Sequence, residues 1–453
     1  MRTDTRLGTE RLALAMVVFA IGLVGCGGGS HATSSGSGSQ QQQQSGQLPP
    51  SADASGQLQT ISSSGTVNFG NDFFVNLGTN QRTCFSCHQP SDGWTVTPSH
   101  LQARFNSTGG TDPIFRSVDG SNCPSNDVST VAARQAAYTL LLNKGLIRIS
   151  RPIPGNADFT LSGVNDPYGC ATAGNLSLYR RPLPATNLNF ESTIMWDARE
   201  NVAATFFDDL KSQARDATLG HAQSTASPTD AQLTQIVNFE TALVTAQSSG
   251  PVALVKQAFT PGANDFLTQS GSFNPVVFTL YQSWAVSPGT DNFAAGRAAV
   301  ARGETLFNTL QFSISNVRGF NDVLSQGSVT GTCSTCHSTP NIGDSPGNHV
   351  MDIGTADFFR NTVTLPLPIY TFQCNGGGSF QVTDPGFALT SGLCIDIAKF
   401  KVPGLRGLAA RAPYFHNGMS PGLSDVVTFY NQRFAINLTA QQQADLVAFL
   451  SAL

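Results

Sequence analysis

Charged side chains are scarce in this chain. Asp, Glu, Lys and Arg together make up 12% of its 453 residues, which is about half of the usual share. The formal net charge is −4 and no block of basic residues occurs, so nothing in the sequence indicates binding to nucleic acid. The lack of charge, together with abundant Gly, Ser, Thr, Asn and Gln, is typical of a protein that works outside the cytoplasm.

Histidine and cysteine are also rare, yet they cluster twice. With 9 Cys and 7 His in the chain, chance predicts roughly 0.003 copies of the pentapeptide Cys-x-x-Cys-His. Two copies occur, at Cys84, Cys87 and His88 and at Cys333, Cys336 and His337. Thioredoxin-like redox pairs and zinc sites also use Cys-x-x-Cys, but neither accounts for a histidine that follows both times.

This pentapeptide is the signature of covalent haem attachment. The two thiols bond to the haem vinyl groups, and the adjacent imidazole becomes the proximal iron ligand. The sequence therefore predicts two covalently bound haem c groups, with His88 and His337 as the iron ligands. Because a haem of this kind needs a domain of roughly 100 residues around it, we expect one haem in each of two domains.

The first 25 residues have the pattern of a signal peptide. Arg2, Arg6 and Arg11 precede an apolar run over 12–24, which is too short to span a bilayer comfortably. The run ends in Leu-Val-Gly-Cys, which resembles a bacterial lipobox in which Cys26 is acylated. We therefore expect a lipoprotein of the bacterial cell envelope, facing the periplasm or lying on the surface, held to a membrane by Cys26. Ordinary secretion with cleavage elsewhere is the alternative.

Composition and motif positions divide the rest of the chain. Residues 26–60 are rich in Gly, Ser and Gln and are predicted to be a disordered tether. An N-terminal haem domain is expected over 61–287 and a C-terminal cytochrome c domain over 288–453. The four cysteines outside the haem motifs and Cys26 leave one pair in each domain, which predicts the disulfides Cys123–Cys170 and Cys374–Cys394.

Four stretches space their apolar residues as a helix does. They cover 129–144, 227–247, 292–309 and the C-terminal end, where Thr439 to Gln442 form a capping box. Elsewhere Gly and Pro interrupt the pattern. The sequence thus predicts a mainly α fold of two c-type cytochrome domains with long irregular loops.

Further segments resemble one family. Residues 195–199, Met-Trp-Asp-Ala-Arg, resemble a Trp-Asp-Gly-Arg segment of the bacterial di-haem cytochrome c peroxidases, a family that includes the MauG enzymes. Residues 402–406, Val-Pro-Gly-Leu-Arg, and 412–418, Ala-Pro-Tyr-Phe-His-Asn-Gly, resemble its second-domain segment. The resemblance covers about residues 65–440, although insertions between Cys87 and Trp196 do not match a typical member.

The resemblance implies a division of labour between the haems. The N-terminal haem meets peroxide, the C-terminal haem passes or stores electrons, and a tryptophan, here Trp196, couples them. A purely structural core tryptophan is the alternative reading. On the C-terminal haem the family places Met or Tyr opposite the proximal His. Tyr430 is then the candidate sixth ligand and Met419 the runner-up, while a buried Tyr430 that touches no metal is the remaining option.

Peroxide cleavage also needs an acid–base residue at the first haem. The family has Gln-Ala followed ten residues later by Glu. Gln213 with Ala214 fits the pair, but the Glu position is Gln223, which cannot move a proton. His221 lies close by and is our candidate; a surface loop histidine is the alternative. His100 is a candidate for the ligand that blocks this iron in family peroxidases, unless it is a loop residue and the iron is open.

The family often holds calcium between its haems. The usual Asn of that site appears as Arg181 in this sequence, so calcium is not assumed here and stays an open, doubtful cofactor.

These expectations lead to three hypotheses about function. The first is a di-haem peroxidase-like oxidoreductase that reduces hydrogen peroxide with electrons from a small redox protein or cytochrome, relayed from the C-terminal to the N-terminal haem. The second is a MauG-like or oxygenase-like enzyme that oxidises an organic or protein substrate. The third is an electron-transfer cytochrome without catalysis.

Overall fold

A computed structural model describes residues 45–46, 48–172, 174–249, 278–337, 343–344, 350–362 and 364–453. The predicted signal peptide, Cys26 and most of the predicted tether lie outside these residues. No helix among the described residues is both long and apolar enough to cross a membrane.

The helices and strands alternate irregularly along the chain. The helices are α1 Pro98–Thr108, α2 Val131–Ala137, α3 Thr139–Lys144, α4 Phe206–Gly220, α5 Asp230–Ala242, α6 Gln282–Val286, α7 Ala294–Thr309, α8 Ala388–Ser391, α9 Leu423–Arg433 and α10 Ala440–Leu450. The strands are β1 Ser45–Gly46, β2 Ser51–Asp53, β3 Gly56–Ser62, β4 Val67–Asn68, β5 Ile147–Arg151, β6 Phe159–Asn165, β7 Leu176–Arg180, β8 Leu243–Ser249, β9 Phe312–Ser315, β10 Ser328–Gly331, β11 Val350–Met351, β12 Ile369–Cys374, β13 Ser379–Val382 and β14 Phe400–Lys401.

The prediction of a mainly α fold is wrong. The structure is 34% helical and 19% strand, with ten helices in its described part and several antiparallel sheets. Strands form in stretches where no helical spacing of apolar residues was found, and the hydrogen-bond partners of several of them are distant in the chain. Strand β3 pairs with β8, and β6 pairs with β12, in both cases across about two hundred residues.

The predicted helices are confirmed in place but not in every boundary. The predicted capping box forms at Thr439 with Gln442, and a second one, which was not predicted, forms at Thr229 with Gln232. Helix α5 ends at Ala242 instead of 247, because the next residues turn into strand β8. The stretch 129–144 forms two helices, α2 and α3, separated at Tyr138, whose buried hydroxyl donates a hydrogen bond to the Phe115 carbonyl (3.0 Å).

Ordered chain begins before the predicted end of the tether at residue 60. Strands β2 and β3 form a three-stranded sheet with β8. Leu58, within the predicted tether, is 1% exposed. This part of the predicted tether is ordered because Leu58 has an apolar side chain to bury and because β3 pairs with the distant strand β8.

The two halves of the chain share a sheet and a buried ion cluster, and residues 43–453 form one compact unit. Strand β6 from the first half is the edge partner of β12 and β13 from the second half. Arg180, at the end of β7, donates hydrogen bonds to Asp384 (2.7 and 2.9 Å) and to Asp197 (2.6 Å), and all three side chains are buried. The arginine thus neutralises two carboxylates that come from different halves.

Replacing Arg180 by Ala is expected to lower the free energy of unfolding by about 3–5 kcal/mol, because two buried carboxylates lose their counter-charge. Burial opposes the ionisation of Asp197, but Arg180 and Arg199 hold its pKa below the usual range. The stabilisation is therefore present at neutral pH and is lost as pH falls below about 3.9. Denaturant unfolding at pH 7 measures the change. The exposed pair Arg215–Asp216 is the control, since Arg215→Ala should cost under about 1 kcal/mol; equal losses would contradict the interpretation.

The second half is built on a close helix pair. Helices α7 and α10 pack at Gly303, where an added Cβ would overlap the backbone of Asp445. Phe307 and Phe449 lie in the core beside this crossing, 5.4 Å apart between ring centroids. Phe307 also faces His337 at 6.1 Å, so the helix pair supports the second haem motif.

Both predicted disulfides are present. Cys123 bonds to Cys170 and Cys374 bonds to Cys394, with Cα atoms 5.6 and 5.8 Å apart. The cysteines of the two haem motifs take part in neither disulfide.

Candidate active site: two cavities that meet at a tryptophan

The first haem motif folds as a short 3-10 turn, Cys84–Ser86. The His88 amide donates to the Cys84 carbonyl (3.0 Å), which brings the two thiols and the imidazole to one side of the turn. Thr83 and Ser86 close the start of the turn with a backbone-to-side-chain hydrogen bond (3.0 Å). The local sequence thus arranges the three groups that covalent haem attachment requires.

The ring of His88 is held in one orientation. Its Nδ1 donates to the Trp94 carbonyl (2.9 Å), which fixes the tautomer and leaves Nε2 to bind a metal. Burial lowers the pKa of His88, so its imidazole is neutral and able to act as a ligand. Trp94 is fully buried, adopts a left-handed backbone (φ 61°) and packs on Phe73 and Phe239. This aromatic cluster supports the histidine from behind.

A large cavity opens in front of His88. It encloses about 1140 Å³ of space, including its solvent-open mouth. Its wall combines residues of both halves, among them Cys87, His88, Arg181, Trp196, Gln213, His221, Glu240 and Lys401. A smaller adjoining cavity extends the space toward Cys84. We call this space the first cavity.

His221 faces the first cavity and is coupled to a buried carboxylate. Its Nδ1 lies 2.6 Å from Asp119 Oδ2, and the other oxygen of Asp119 accepts from Arg82 (2.5 Å). Burial opposes the ionisation of Asp119, but Arg82 and His221 keep its pKa below the usual range. An ionised carboxylate on Nδ1 orients the imidazole so that Nε2 is free to exchange a proton in the cavity.

The other candidates near the first cavity divide into two groups. Gln213 lies in the cavity wall, as predicted from the Gln-Ala pair. Gln223 does not: it has a left-handed backbone and its side chain accepts from Asn80 (3.3 Å). His100 does not reach the cavity either, because helix α1 directs it to Asp92 (2.5 Å), and its side chain is 48% exposed. The proposed blocking role of His100 is therefore not supported by its position.

Two acidic residues of this site were missed from the sequence. Asp119 has no neighbouring motif, so no sequence pattern identifies it. Glu240 lies on α5 and is 6% exposed; its Oε2 is buried without a hydrogen-bond partner, and burial raises its pKa to about 8. The place of Glu240 among the apolar positions of α5 indicates in part that it is buried, but the sequence does not indicate that its side chain faces the first cavity.

The second haem motif repeats the arrangement of the first. A 3-10 turn, Cys333–Thr335, presents the thiols, and His337 Nδ1 donates to the Gly343 carbonyl (2.7 Å). The second cavity, in front of His337, encloses about 1440 Å³ including its open mouth. Its wall is predominantly apolar and includes Phe307, Phe312, Ile314, Val317, Met351, Leu405, Leu423, Val427, Leu446 and Leu450.

Tyr430 shares this second cavity with His337. Helix α9 carries it, and the centroids of the two rings are 6.3 Å apart. Burial raises the pKa of Tyr430, so the phenol is neutral unless it binds a cation. Met419 instead lines a separate small cavity with Lys144 and Arg360. The structure thus brings Tyr430, and not Met419, to the space before His337.

Trp196 lies in the walls of both cavities. Its indole Nε1 donates to the Arg181 carbonyl (2.8 Å), which fixes the ring. On the side of the second cavity it meets His416, with ring centroids 6.2 Å apart, and His416 in turn stacks on Phe400 at 3.9 Å. The rings of Trp196, His416 and Phe400 therefore form a continuous series of contacts that extends from the first cavity to the second.

The residues present fit two covalently bound haem groups. Each cavity has two free thiols, an oriented neutral imidazole and a wall large enough to enclose a flat macrocycle. Buried polar atoms without a partner, Glu240 Oε2 and His416 Nε2, also line these walls, and burial lowers the pKa of His416 to about 4. Such atoms are rare in a finished interior, and they indicate a bound group. Among the described residues, no cluster of three or more His, Cys, Asp or Glu side chains is arranged to hold a separate metal ion.

Comparison with known proteins confirms the predicted resemblance. The chain is 33% identical over 135 residues to "Cytochrome-c peroxidase IdrP2" of Denitromonas iodatirespirans, and 38% identical over 143 residues to "Cytochrome-c peroxidase IdrP1" of Pseudomonas sp. (strain SCT). Each match covers 27% of this chain and 36% of the relative, so the chain spans about a third of these relatives' length. No family model matches.

One solved structure is similar over most of the chain. It is a MauG-like protein associated with microbial copper homeostasis, which aligns with 85% of this chain and 88% of its own, at 14% identity and a TM-score of 0.37.

Proposed function

We propose that this protein is a di-haem c-type oxidoreductase of the peroxidase type, which reduces hydrogen peroxide at the first haem motif. The observation that carries the proposal is the position of Trp196 in the walls of two cavities, each of which, with the extension of the first toward Cys84, is lined by a complete haem-attachment motif. The cytochrome-c peroxidase relatives support the same class of reaction.

The first cavity has the groups that peroxide chemistry requires. Cys84, Cys87 and His88 would hold a haem, which would supply the electron-exchange chemistry that peroxide reduction needs. Cleaving an O–O bond also requires a proton to move from one oxygen to the other. His221 performs this transfer through Nε2, while Asp119 holds its ring and stabilises the protonated imidazole. Gln213 is placed to orient the peroxide by hydrogen bonding.

The second cavity is suited to electron storage. Its apolar wall excludes water, and Tyr430 shares this cavity with His337, so its phenol would help to hold a haem bound there. We propose that reducing equivalents from a small redox protein or cytochrome enter at this side and reach the first cavity by way of Trp196 and His416.

One observation favours a second function, oxidation of an organic molecule. The first cavity continues into a wide cleft beside His221, whose wall is partly charged and partly apolar, and this is far more space than peroxide needs. A MauG-like or oxygenase-like reaction would use this space for its substrate.

The place of action follows from the predicted anchor. We propose that acylated Cys26 holds the protein to a membrane of the bacterial envelope, with the haem-bearing part facing the periplasm or the surface.

Spectroscopy and turnover test the proposal together. We expect the ferric protein to show a high-spin component that binds cyanide, and reduced protein with a small cytochrome as donor to consume hydrogen peroxide steadily. Two low-spin haems that ignore cyanide, with no peroxide consumption, would identify an electron-transfer cytochrome instead. Cyanide binding without peroxide turnover would favour the organic substrate.

A further inference from the structure

Two large aromatic side chains lie side by side on the surface of the second half. Phe358 and Phe359 belong to the short 3-10 turn Phe358–Arg360, and they are 42% and 66% exposed. Their rings meet edge to face, with centroids 5.8 Å apart. A single exposed apolar residue is ordinary, but adjacent exposed aromatic rings indicate a contact surface. We call Phe358 and Phe359 the phenylalanine patch.

A series of side-chain contacts connects the phenylalanine patch to the second cavity. The guanidinium of Arg360 lies over the ring of Phe359 at 5.2 Å and over the ring of Phe429, on helix α9, at 4.8 Å. Phe429 is buried, and its ring centroid lies 5.4 Å from that of Tyr430. Tyr430 shares the wall of the second cavity with His337. The exposed rings are thus the outer end of a contact path that leads to the second haem motif.

The side chains around the patch carry an excess of positive charge. Arg360 pairs with Asp357 (3.8 Å). Lys144 lines a small cavity with both of them and donates to the Thr362 hydroxyl (3.1 Å). Arg433 lies close enough to Asp357 to favour its ionised form, and it donates to backbone carbonyls. In the described part of the chain Lys144 and Arg433 form no ion pair, so their charges are not neutralised.

This surface has the chemistry of a docking site for an electron-carrying protein. Electrons pass between two proteins only when their cofactors come close, so the donor has to dock where contacts lead inward to the second haem motif. An apolar centre with positive charge around it fits a partner whose own face has an apolar centre and an acidic rim. Opposite charges also speed the encounter of the two proteins.

We propose that the phenylalanine patch is the docking surface of the electron donor, a small redox protein with an exposed cofactor edge and an acidic rim. In each encounter the donor loses one electron, which a haem held by His337 would take up. The inference rests on the proposed function in one respect, the entry of electrons on the side of the second cavity. The binding itself requires no peroxide.

Cytochrome b5 is a suitable probe, because acidic residues surround its exposed haem edge. Titration of isotope-labelled cytochrome b5 with the full-length haem-loaded protein, followed by nuclear magnetic resonance, measures the affinity. We expect signals around its haem edge to shift, and the affinity to fall as salt is added. Mitochondrial cytochrome c, whose haem edge is surrounded by lysines, should bind at least about tenfold more weakly. Phe359→Ser should weaken the binding of cytochrome b5 by about tenfold or more, and Lys144→Gln by a smaller factor.

Phe358→Ser has a closely matched control in Phe293→Ser. Both side chains are 42% exposed, but Phe293 lies at the start of helix α7, and no other aromatic ring among the described residues contacts it. Phe358→Ser should weaken binding severalfold, whereas Phe293→Ser should leave it within about twofold. Absence of binding at about 1 mM cytochrome b5, equal binding of the two cytochromes, or equal affinity in Phe359→Ser and Phe293→Ser would each overturn the inference.

Electron transfer without peroxide provides a second readout. Reduced cytochrome b5 mixed with the ferric protein should reduce the second haem, and Phe359→Ser should slow this step by about tenfold at concentrations below saturation. Binding that leaves the second haem oxidised, or an unchanged rate in Phe359→Ser, would show that electrons enter elsewhere. Peroxide consumption is measured separately. Docking and reduction without peroxide turnover would refute the proposed function and leave the docking surface established.

Discussion

Replacing His221 by Leu is expected to lower kcat/KM for hydrogen peroxide by about 10²- to 10⁴-fold, the usual contribution of a positioned acid–base group. His221 is the group that we propose to transfer the proton in the first cavity. Its Nδ1 lies 2.6 Å from the ionised carboxylate of Asp119, which fixes the orientation of the ring. Leucine fills similar space but cannot accept or return a proton. Steady-state kinetics with a reduced small cytochrome as donor measures the loss, and the haem absorption spectrum verifies that both haems remain attached.

His100 offers a closely matched control. It too has Nδ1 on a buried aspartate, Asp92, at 2.5 Å, and it is about as exposed as His221 (48% against 39%). It does not line the first cavity, so His100→Leu should leave turnover within about twofold. If His221→Leu behaved like His100→Leu, the proton would have to move through another group, and Glu240, buried in the same wall, would be the next to replace.

Replacing Tyr430 by Phe is expected to change both the spectrum and the reduction potential of the second haem. Removal of a phenolate ligand should raise the potential by on the order of 100 mV, within the roughly 0.8 V range that axial ligands set. The ring is retained, so packing against Phe434 and Phe415 is preserved. Spectroelectrochemical titration of the intact protein measures the shift.

Two variants separate ligation from general perturbation of the second cavity. Tyr414 also lines this cavity, but its hydroxyl donates a hydrogen bond to the Leu408 carbonyl (2.8 Å). Tyr414→Phe should therefore leave the reduction potential of the second haem nearly unchanged. Met419→Leu should also be silent, because Met419 lines a different cavity. A shift in Met419→Leu without one in Tyr430→Phe would reverse the assignment of the ligand.

The haem motifs were predictable because their chemistry is local. Two thiols and an imidazole within five residues fold as one turn, and the sequence alone specifies that turn. Trp196 and Tyr430 were proposed through resemblance to a family; both line the cavities that contain the haem motifs, and their roles stay predictions. Helices with caps, such as α5 and α10, were predictable for the same reason, since caps and apolar spacing are properties of a short segment.

The errors came from contacts between distant segments. The pairing of β3 with β8 gives a Ser- and Gln-rich stretch its strand structure, and nothing local in that stretch indicates a partner so far along the chain. Asp119 and Glu240 were missed because single acidic residues have no signature until the fold turns them toward a cavity. His100 was a candidate because it lies near His88 in sequence, but helix α1 carries its side chain away.

The strand pairing of β6 with β12 limits how this protein can be divided. The sequence suggested a boundary near residue 288, but a fragment that starts there would contain β12 and β13 without β6. Its edge strand would expose unpaired backbone groups, which recruit other strands and promote aggregation. Asp384 would also lose Arg180. We therefore expect the second half not to fold stably when it is expressed alone. Recombinant proteins and gene fusions should keep the two halves together.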